Sequence, residues 1–341
     1  MLPQADPATE CILGIVTDKA ANFIKKNAEK EAQEAAKSGS RSSDVALQKH
    51  RWVPVKLSKR TELSKDTRRN TFSLPKSSKL GLETCQHIQF GFHFKGQMLQ
   101  MLIRSYTPTR PVMPKEEDGT LDLVVKTYFP DERQPGGAMS NILDCIPIGE
   151  EIEIRGPTGE ISYHGNGKFI IEGKERNFSK VSLMLGGSGI TPGYALIARI
   201  LGENEDKTQL RVIDANRSEN DVLLQDQMEK FSTQHPEQFK ICHVLSHPSD
   251  DWKGVKGHVN ESVIKGNTFA PDDGWESVVF LCGPPAMIQK IGATKKKRTA
   301  FGSRWRNWYC CSLPNVIEIR LGLGCLSNRP INVTARDRNP L

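Results

Sequence analysis

The stretch from Val181 to Ile200, V-S-L-M-L-G-G-S-G-I-T-P-G-Y-A-L-I-A-R-I, constrains the fold more than any other part of the chain. A short apolar run gives way to a glycine turn and then to apolar residues at helical spacing, which reads as strand, tight turn, helix. Gly186, Gly187 and Gly189 remove the Cβ atoms that would keep a ligand away from the backbone, and Thr191 and Pro192 suit a first helical turn. The N–H groups of such a turn have no intrahelical partner and favour an anion, a pyrophosphate for instance. Alone, the pattern is equally that of an ordinary strand-to-helix turn, and the rest of the chain has to decide.

At 341 residues the chain is long enough for two domains, each with its own core. No apolar run approaches the length that spans a bilayer, and the N-terminus lacks a signal-peptide pattern, so a cytoplasmic protein is expected. The eight cysteines include no C-x-x-C pair, which points to neither a zinc site nor a disulfide scaffold. The net charge of +7 is local: residues 291–341 hold ten Lys or Arg against two acids, leaving the other 290 residues at −1. A basic surface is therefore not a property of the folded part, and nucleic-acid binding is not expected.

Residues 1–50 read as a solvated Ala/Lys/Glu-rich helix from Thr17 to Lys37 and a Ser/Gly linker. From Arg51 to about residue 174, short β-type runs follow one another: Trp52 to Leu57, Arg69 to Leu74, His87 to Phe94, Met98 to Tyr106, Leu121 to Phe129 and Glu151 to Arg155. Their spacing is that of an antiparallel barrel or sandwich. From about 175 to 290, strands alternate with helices, as in a parallel sheet with ligand sites at the strand C-termini. Beyond Lys290 the basic run Lys295 to Arg298 and the aromatics Trp305, Trp308 and Tyr309 show no amphipathic phase, and residues 291–341 are expected to lie outside the packed domain.

Three further motifs give the glycine turn its context. In Arg104-Ser105-Tyr106-Thr107-Pro108-Thr109, at the end of a β run, Arg104 suits bidentate contact with a phosphate, Tyr106 offers a ring to a planar ligand, and Thr107 a hydroxyl to a ring heteroatom. In Gly136-Gly137-Ala138-Met139-Ser140-Asn141 a glycine pair opens a helix and exposes backbone N–H groups. In Leu281-Cys282-Gly283-Pro284-Pro285-Ala286-Met287 an apolar strand delivers a polarizable thiol to the C-terminal edge of the sheet. Each has a bland reading as well: an edge-strand arginine, a plain helix cap, a buried structural cysteine.

Together with G-P-T-G-E-I-S-Y-H-G-N-G-K-F, these motifs in this order resemble the cytochrome b5 reductase family, and within it the flavin module of nitrate reductases, over about Arg51 to Gln289. The resemblance implies an FAD-binding β-barrel followed by an NAD(P)-binding α/β domain. Hydride would pass from NADH, with NADPH also to be considered, to FAD, and single electrons would leave to a haem protein of the cytochrome b5 type or a similar acceptor. Residue by residue, it implies that Arg104 holds the flavin pyrophosphate, Tyr106 packs on the isoalloxazine and Thr107 bonds its polar edge, with Ser105 between them. Val124, Lys126 and Phe129 would contribute to the FAD site, and Gly137, Ala138, Met139 and Ser140 to its phosphates. Gly187, Ser188 and Thr191 would lie between flavin and nicotinamide, and Cys282, Gly283, Pro284 and Met287 would flank the nicotinamide. Thr107 and Cys282 are thus the residues expected closest to the reacting rings; no metal and no acid–base pair is called for, because the flavin carries the redox chemistry. Asp221, in the segment Asp214 to Asp221, would accept from a ribose 2′-hydroxyl and repel a 2′-phosphate, favouring NADH, although Arg217 beside it suits a phosphate.

The chain departs from the family pattern in three places. Nothing after Gln289 matches, so a sheet edge and a cover for the flavin are expected to be missing; this motivates the alternative of a catalytically inactive flavoprotein relative that acts by binding. The segment Cys11 to Lys37 faintly resembles the end of a haem domain, but the first histidine is His50, so residues 1–49 offer no axial imidazole and the acceptor is expected to be a separate molecule. Finally, Lys95 to Ile103 is longer than the usual strand before the R-S-Y-T motif, and a bulge ahead of Arg104 is expected.

Overall fold

A computed structural model describes residues 44–93, 101–130, 132, 136–270, 276–296 and 308–310. The expected N-terminal helix and linker, and the tail beyond Cys310, lie outside the described residues.

The first part is built from β1 (Val53–Ser64), β2 (Thr67–Ser73), β3 (His87–His93), β4 (Met101–Tyr106), β5 (Thr120–Lys126), helix α1 (Ala138–Cys145) and β6 (Glu151–Thr158). The strands form an antiparallel sheet in the order β4-β3-β6-β1-β2-β5. Period-two alternation sends Val53, Val55, Leu57, Phe72, Ile88, Phe90, Leu121, Leu123, Val125, Ile152 and Ile154 to one buried face. The ring closes where the chain after β4 bridges to β5: Thr109 N donates to Asp122 O at 2.9 Å, and Asp122 N to Arg110 O at 2.8 Å. This is the expected barrel. The β3–β4 register runs unbroken from Ile88↔Tyr106 to His93↔Met101, so no bulge disturbs Arg104; the irregularity falls between β3 and β6, at His87/Gln89.

The second part opens with a small sheet that the sequence did not announce, β7 (Ile161–Tyr163), β8 (Lys168–Ile171) and β9 (Lys174–Asn177). It continues with β10 (Lys180–Gly186), α2 (Ile190–Leu201), β11 (Gln209–Asn216), α3 (Gln225–Gln234), β12 (Phe239–Leu245), β13 (Val255–Lys256), α4 (Glu261–Asn267), β14 (Ser277–Cys282), α5 (Pro285–Lys296) and β15 (Trp308–Cys310). The parallel sheet has the order β13-β12-β11-β10-β14-β15. Tyr163, Phe169, Ile171 and Phe178 bury against residues of β10, β11 and β14, so by packing the small sheet joins the second part, ahead of the boundary expected near residue 174. The Tyr163 hydroxyl donates to the buried carboxylate of Asp206, which also accepts from Asn166 N at 3.0 Å and from Thr208 N and Oγ1 at 3.0 and 2.7 Å.

The expectation that the packed domain stops near Lys290 is corrected. Helix α5 runs on to Lys296, and Trp308, Tyr309 and Cys310 pair in parallel with Val279, Phe280 and Leu281, giving β14 a neighbour on its outer side. A three-residue strand is too short for its alternation to register as a pattern.

Candidate functional site

The chain winds outward from β10 in both directions, to β11 and β12 on one side and to β14 on the other, so the connections diverge at the C-terminal ends of β10 and β14. Such a divergence opens a crevice there. Two glycine turns meet in it. Gly187–Gly189 forms a 3-10 turn between β10 and α2, and Gly283-Pro284 follows β14, whose Cys282 sits opposite Leu185. A Cβ on Gly186 would stand 2.6 Å from Met287 Sδ and 2.9 Å from Pro284 Cδ. A Cβ on Gly189 would stand 2.4 Å from the Cys282 carbonyl oxygen, so only glycine lets the two turns touch.

Above Gly187 the space is open: a Cβ there would meet nothing within 4 Å, and its φ of +51° is one that glycine takes readily. Ser188 is exposed, Thr191 is buried with its hydroxyl donating to Ser188 O at 3.2 Å, and Gly189 as N-cap leaves the first N–H groups of α2 without a side-chain cap. Pro284 is exposed and Gly283 and Met287 are half-buried at the same edge. Cys282 belongs with Leu185, Ile190 and Phe280 in the apolar core cluster and is 5% exposed.

On the barrel, β4 presents Arg104, Ser105 and Tyr106 opposite Phe90, Gln89 and Ile88. Arg104 Nη1 donates to Ile103 O at 2.7 Å, and among the described residues no carboxylate pairs with its guanidinium. The Tyr106 ring meets Phe90 edge-on, centroids 5.6 Å apart. Burial drives the Tyr106 pKa well above the ordinary phenol value, against the pull of the Arg104 charge, so the ring is neutral. Thr107 is buried next to it.

Helix α1 lies against β4 and begins at Gly137, again with no side-chain cap. Gly137 N and Asn141 Nδ2 both donate to Tyr128 O, at 2.8 and 2.9 Å, and Ser140 Oγ donates to Gly137 O at 2.9 Å while receiving Tyr128 N at 3.3 Å. These bonds tie the start of the helix to Tyr128, and the first-turn N–H groups at Ala138, Met139 and Ser140 keep no intrahelical partner. Ala138 is exposed, and the Met139 side chain is a barrel-core residue at 2% exposure, so at Met139 the backbone is what a ligand can reach.

Val124, Lys126 and Phe129, on β5 and just beyond it, have three different surroundings. Val124 is buried in the core cluster of the second part, and Phe129, beyond the strand end, is exposed. Lys126 turns to carboxylates: its Nζ lies 2.7 Å from Asp66 Oδ2 and 2.9 Å from Asp221 Oδ1. Asp221, where the sequence leads one to expect an open acceptor, has its other oxygen taken by Ser218 N at 3.0 Å and Ser218 Oγ at 2.6 Å. Burial works against charge at all three ionic groups, yet their mutual hydrogen bonds outweigh it, holding both carboxylates below and the ammonium above their ordinary pKa values. No motif marks Asp66, whereas Ser218 and Asp221 form the S-x-x-D pattern of a capping box, a signal the sequence reading passed over.

The cradle fits a dinucleotide in two respects: uncapped helix N-termini edged by glycine at two places, and a guanidinium without an acidic partner beside a neutral aromatic ring. Among the described residues no three ligating side chains gather as a metal site would require, and no helix is long and apolar enough to cross a membrane.

Comparison with known proteins agrees. Residues 54–163 match the oxidoreductase FAD-binding domain and residues 183–292 the oxidoreductase NAD-binding domain, together 220 of the 341 residues. The chain is 37% identical over 245 residues to nitrate reductase [NADH] 1 of Oryza sativa subsp. japonica and 38% identical over 245 residues to that of Zea mays. These alignments take in 70% of this chain but only 26% and 38% of those proteins' own length. The cytochrome b5 reductase domain of Ulva prolifera nitrate reductase superposes with a TM-score of 0.70 at 27% identity, over 77% of this chain and 98% of that one. The CS-b5R domains of human Ncb5or share the fold, with a TM-score of 0.60 at 19% identity over 76% of this chain and 69% of that one. The order of the two domains, the relatives aligned across both and the reductase domain that superposes on both place this chain in the cytochrome b5 reductase family of FAD- and NAD-binding oxidoreductases.

Proposed function

We propose that the chain passes reducing equivalents from NADH, through FAD, one electron at a time to a haem-protein acceptor of the cytochrome b5 type. The observation that carries this reading is the contact of the two glycine turns at the divergence of β10 and β14, which leaves an open, glycine-lined floor at the start of α2, where no side chain caps the helix. Bound FAD would supply the step between a two-electron donor and a one-electron acceptor. The protein's part is position and electrostatics. Arg104 and the first turn of α1 would hold the flavin pyrophosphate, Tyr106 would lie against the ring system, and buried Thr107 would bond its polar edge. Gly187, Ser188 and Thr191 would leave room for the two rings to stack, with Gly283, Pro284 and Met287 walling the nicotinamide side and Cys282 backing it from the core. The matched relatives are NADH nitrate reductases, which favours NADH over NADPH.

The inactive-relative alternative draws on a missing sheet edge and a missing flavin cover; β15 supplies a strand at that edge, and flavin content decides the rest. The test is optical. Purified protein should be yellow with near-stoichiometric flavin and should bleach anaerobically on adding NADH; colourless protein, or a flavin colour that NADH leaves untouched, refutes the reading.

A further inference from the structure

Lys126 stands at the end of β5 in the first part of the chain, and Asp221 in the 3-10 turn Glu219–Asp221 that follows β11 in the second. The bridge Asp66–Lys126–Asp221 therefore ties the barrel to the loop expected to meet the adenosine ribose. The Lys126 side chain is only 12% exposed, against 32% and 25% for Asp66 and Asp221. One cation between two carboxylates leaves the cluster with a net charge of −1. Asp221 also holds the N–H and hydroxyl of Ser218, so the same carboxylate fixes the turn and carries the charge. Arg217 lies four residues before it, so the sign of the whole edge is close to balanced.

Resting on the proposed NADH role, we propose that Lys126 is a positioning residue for nucleotide selectivity, acting across the domain boundary by setting the charge and orientation of Asp221. A 2′-phosphate is a near-dianion, and what it meets at this edge depends on how far Asp221 is neutralised. Removing the ammonium leaves two carboxylates and deepens repulsion; removing the charge of Asp66 leaves a neutral pair and relaxes it. The two changes sit in one cluster and loosen the same bridge, yet their electrostatic effects have opposite signs. A purely structural role would move both in the same direction.

The experiment measures equilibrium dissociation constants of NAD+ and NADP+ by calorimetry, on flavin-loaded protein at low ionic strength, for wild type, Lys126→Met, Lys126→Arg and Asp66→Asn. Expected is a preference for NAD+ that rises about fivefold in Lys126→Met, falls about fivefold in Asp66→Asn and stays near wild type in Lys126→Arg. Raising salt should shrink both shifts. An unchanged ratio in either charge variant, or shifts of the same sign, overturns the proposal; should Lys126→Met fail to fold, Asp66→Asn decides alone. Wild-type protein that binds neither nucleotide overturns the NADH reading itself, an outcome distinct from an unmoved ratio.

Discussion

Gly189 and Cys282 meet backbone to backbone: a Cβ on Gly189 would lie 2.4 Å from the Cys282 carbonyl oxygen and 3.0 Å from Gly283 N. The start of α2 and the end of β14 thus close on each other at a point where no side chain fits, and the obstructing atoms are main chain, which yields little.

Gly189→Ala should therefore force the two turns apart. Overpacking of this kind costs about 1 to 3 kcal/mol, and the displacement falls on the residues proposed to bind the nicotinamide. The expected result is a lower urea midpoint together with weakened NAD+ binding. An alanine variant with wild-type midpoint and affinity would mean that the turns are not in contact.

Arg104→Ala and Tyr106→Ala should both lower flavin retention, the first by removing a charge-assisted phosphate contact worth about 1.5 to 3 kcal/mol, the second by removing the ring that packs on the flavin. Tyr106→Ala also leaves a void beside Phe90, so it should lower the melting temperature of the flavin-free protein, whereas Arg104→Ala should not. Flavin-to-protein absorbance ratios after gel filtration measure the first effect; equal ratios in all three proteins refute it.

Cys282→Ala should reduce turnover more than flavin content. The thiol is buried in the apolar cluster of the second part, apart from the barrel residues assigned to the pyrophosphate, so its loss opens a small cavity under the nicotinamide side. A stability loss of about 1 kcal/mol is expected alongside a lower kcat. Parallel loss of flavin and kcat would assign Cys282 to the flavin site instead.

The Asp66–Lys126–Asp221 bridge makes a stability contribution with a definite pH window. Both carboxylates have folded pKa values below the ordinary 3.8, so their share is present above that value and is lost as pH falls through the folded ones. The Lys126 ammonium is raised above the ordinary 10.5, so its share is present below that value and is lost as pH rises through the folded one. The difference in unfolding free energy between wild type and Lys126→Met, on the order of 1 kcal/mol for so partly exposed a cluster, should be flat from about pH 5 to 9 and shrink on acidification. A difference that grows below about pH 4 contradicts the bridge.

Much of the molecule was legible from local pattern. The short apolar run that begins at Val181 is a strand, the helix after Gly189 begins within two residues of Pro192, and the barrel strands fall where period-two alternation puts them. Motif residues such as Gly187, Gly189 and Gly283 were legible for the same reason: what they do depends on the backbone of a short turn, and a turn is written in consecutive residues.

Tertiary structure decided the rest. Lys126 and Asp221 are 95 residues apart, and nothing in either segment marks the other as its partner; only the docking of β5 on the loop after β11 brings ammonium and carboxylate together. The same holds for Tyr163 and Asp206, for the Met139 side chain turned into the core, and for Trp308 to Cys310 beside β14. Periodicity along a chain reports which face of an element is buried, because burial recurs with the helical or strand repeat. It carries no record of what lies across that face, since ion pairs and packing contacts form between segments whose separation in sequence obeys no repeat.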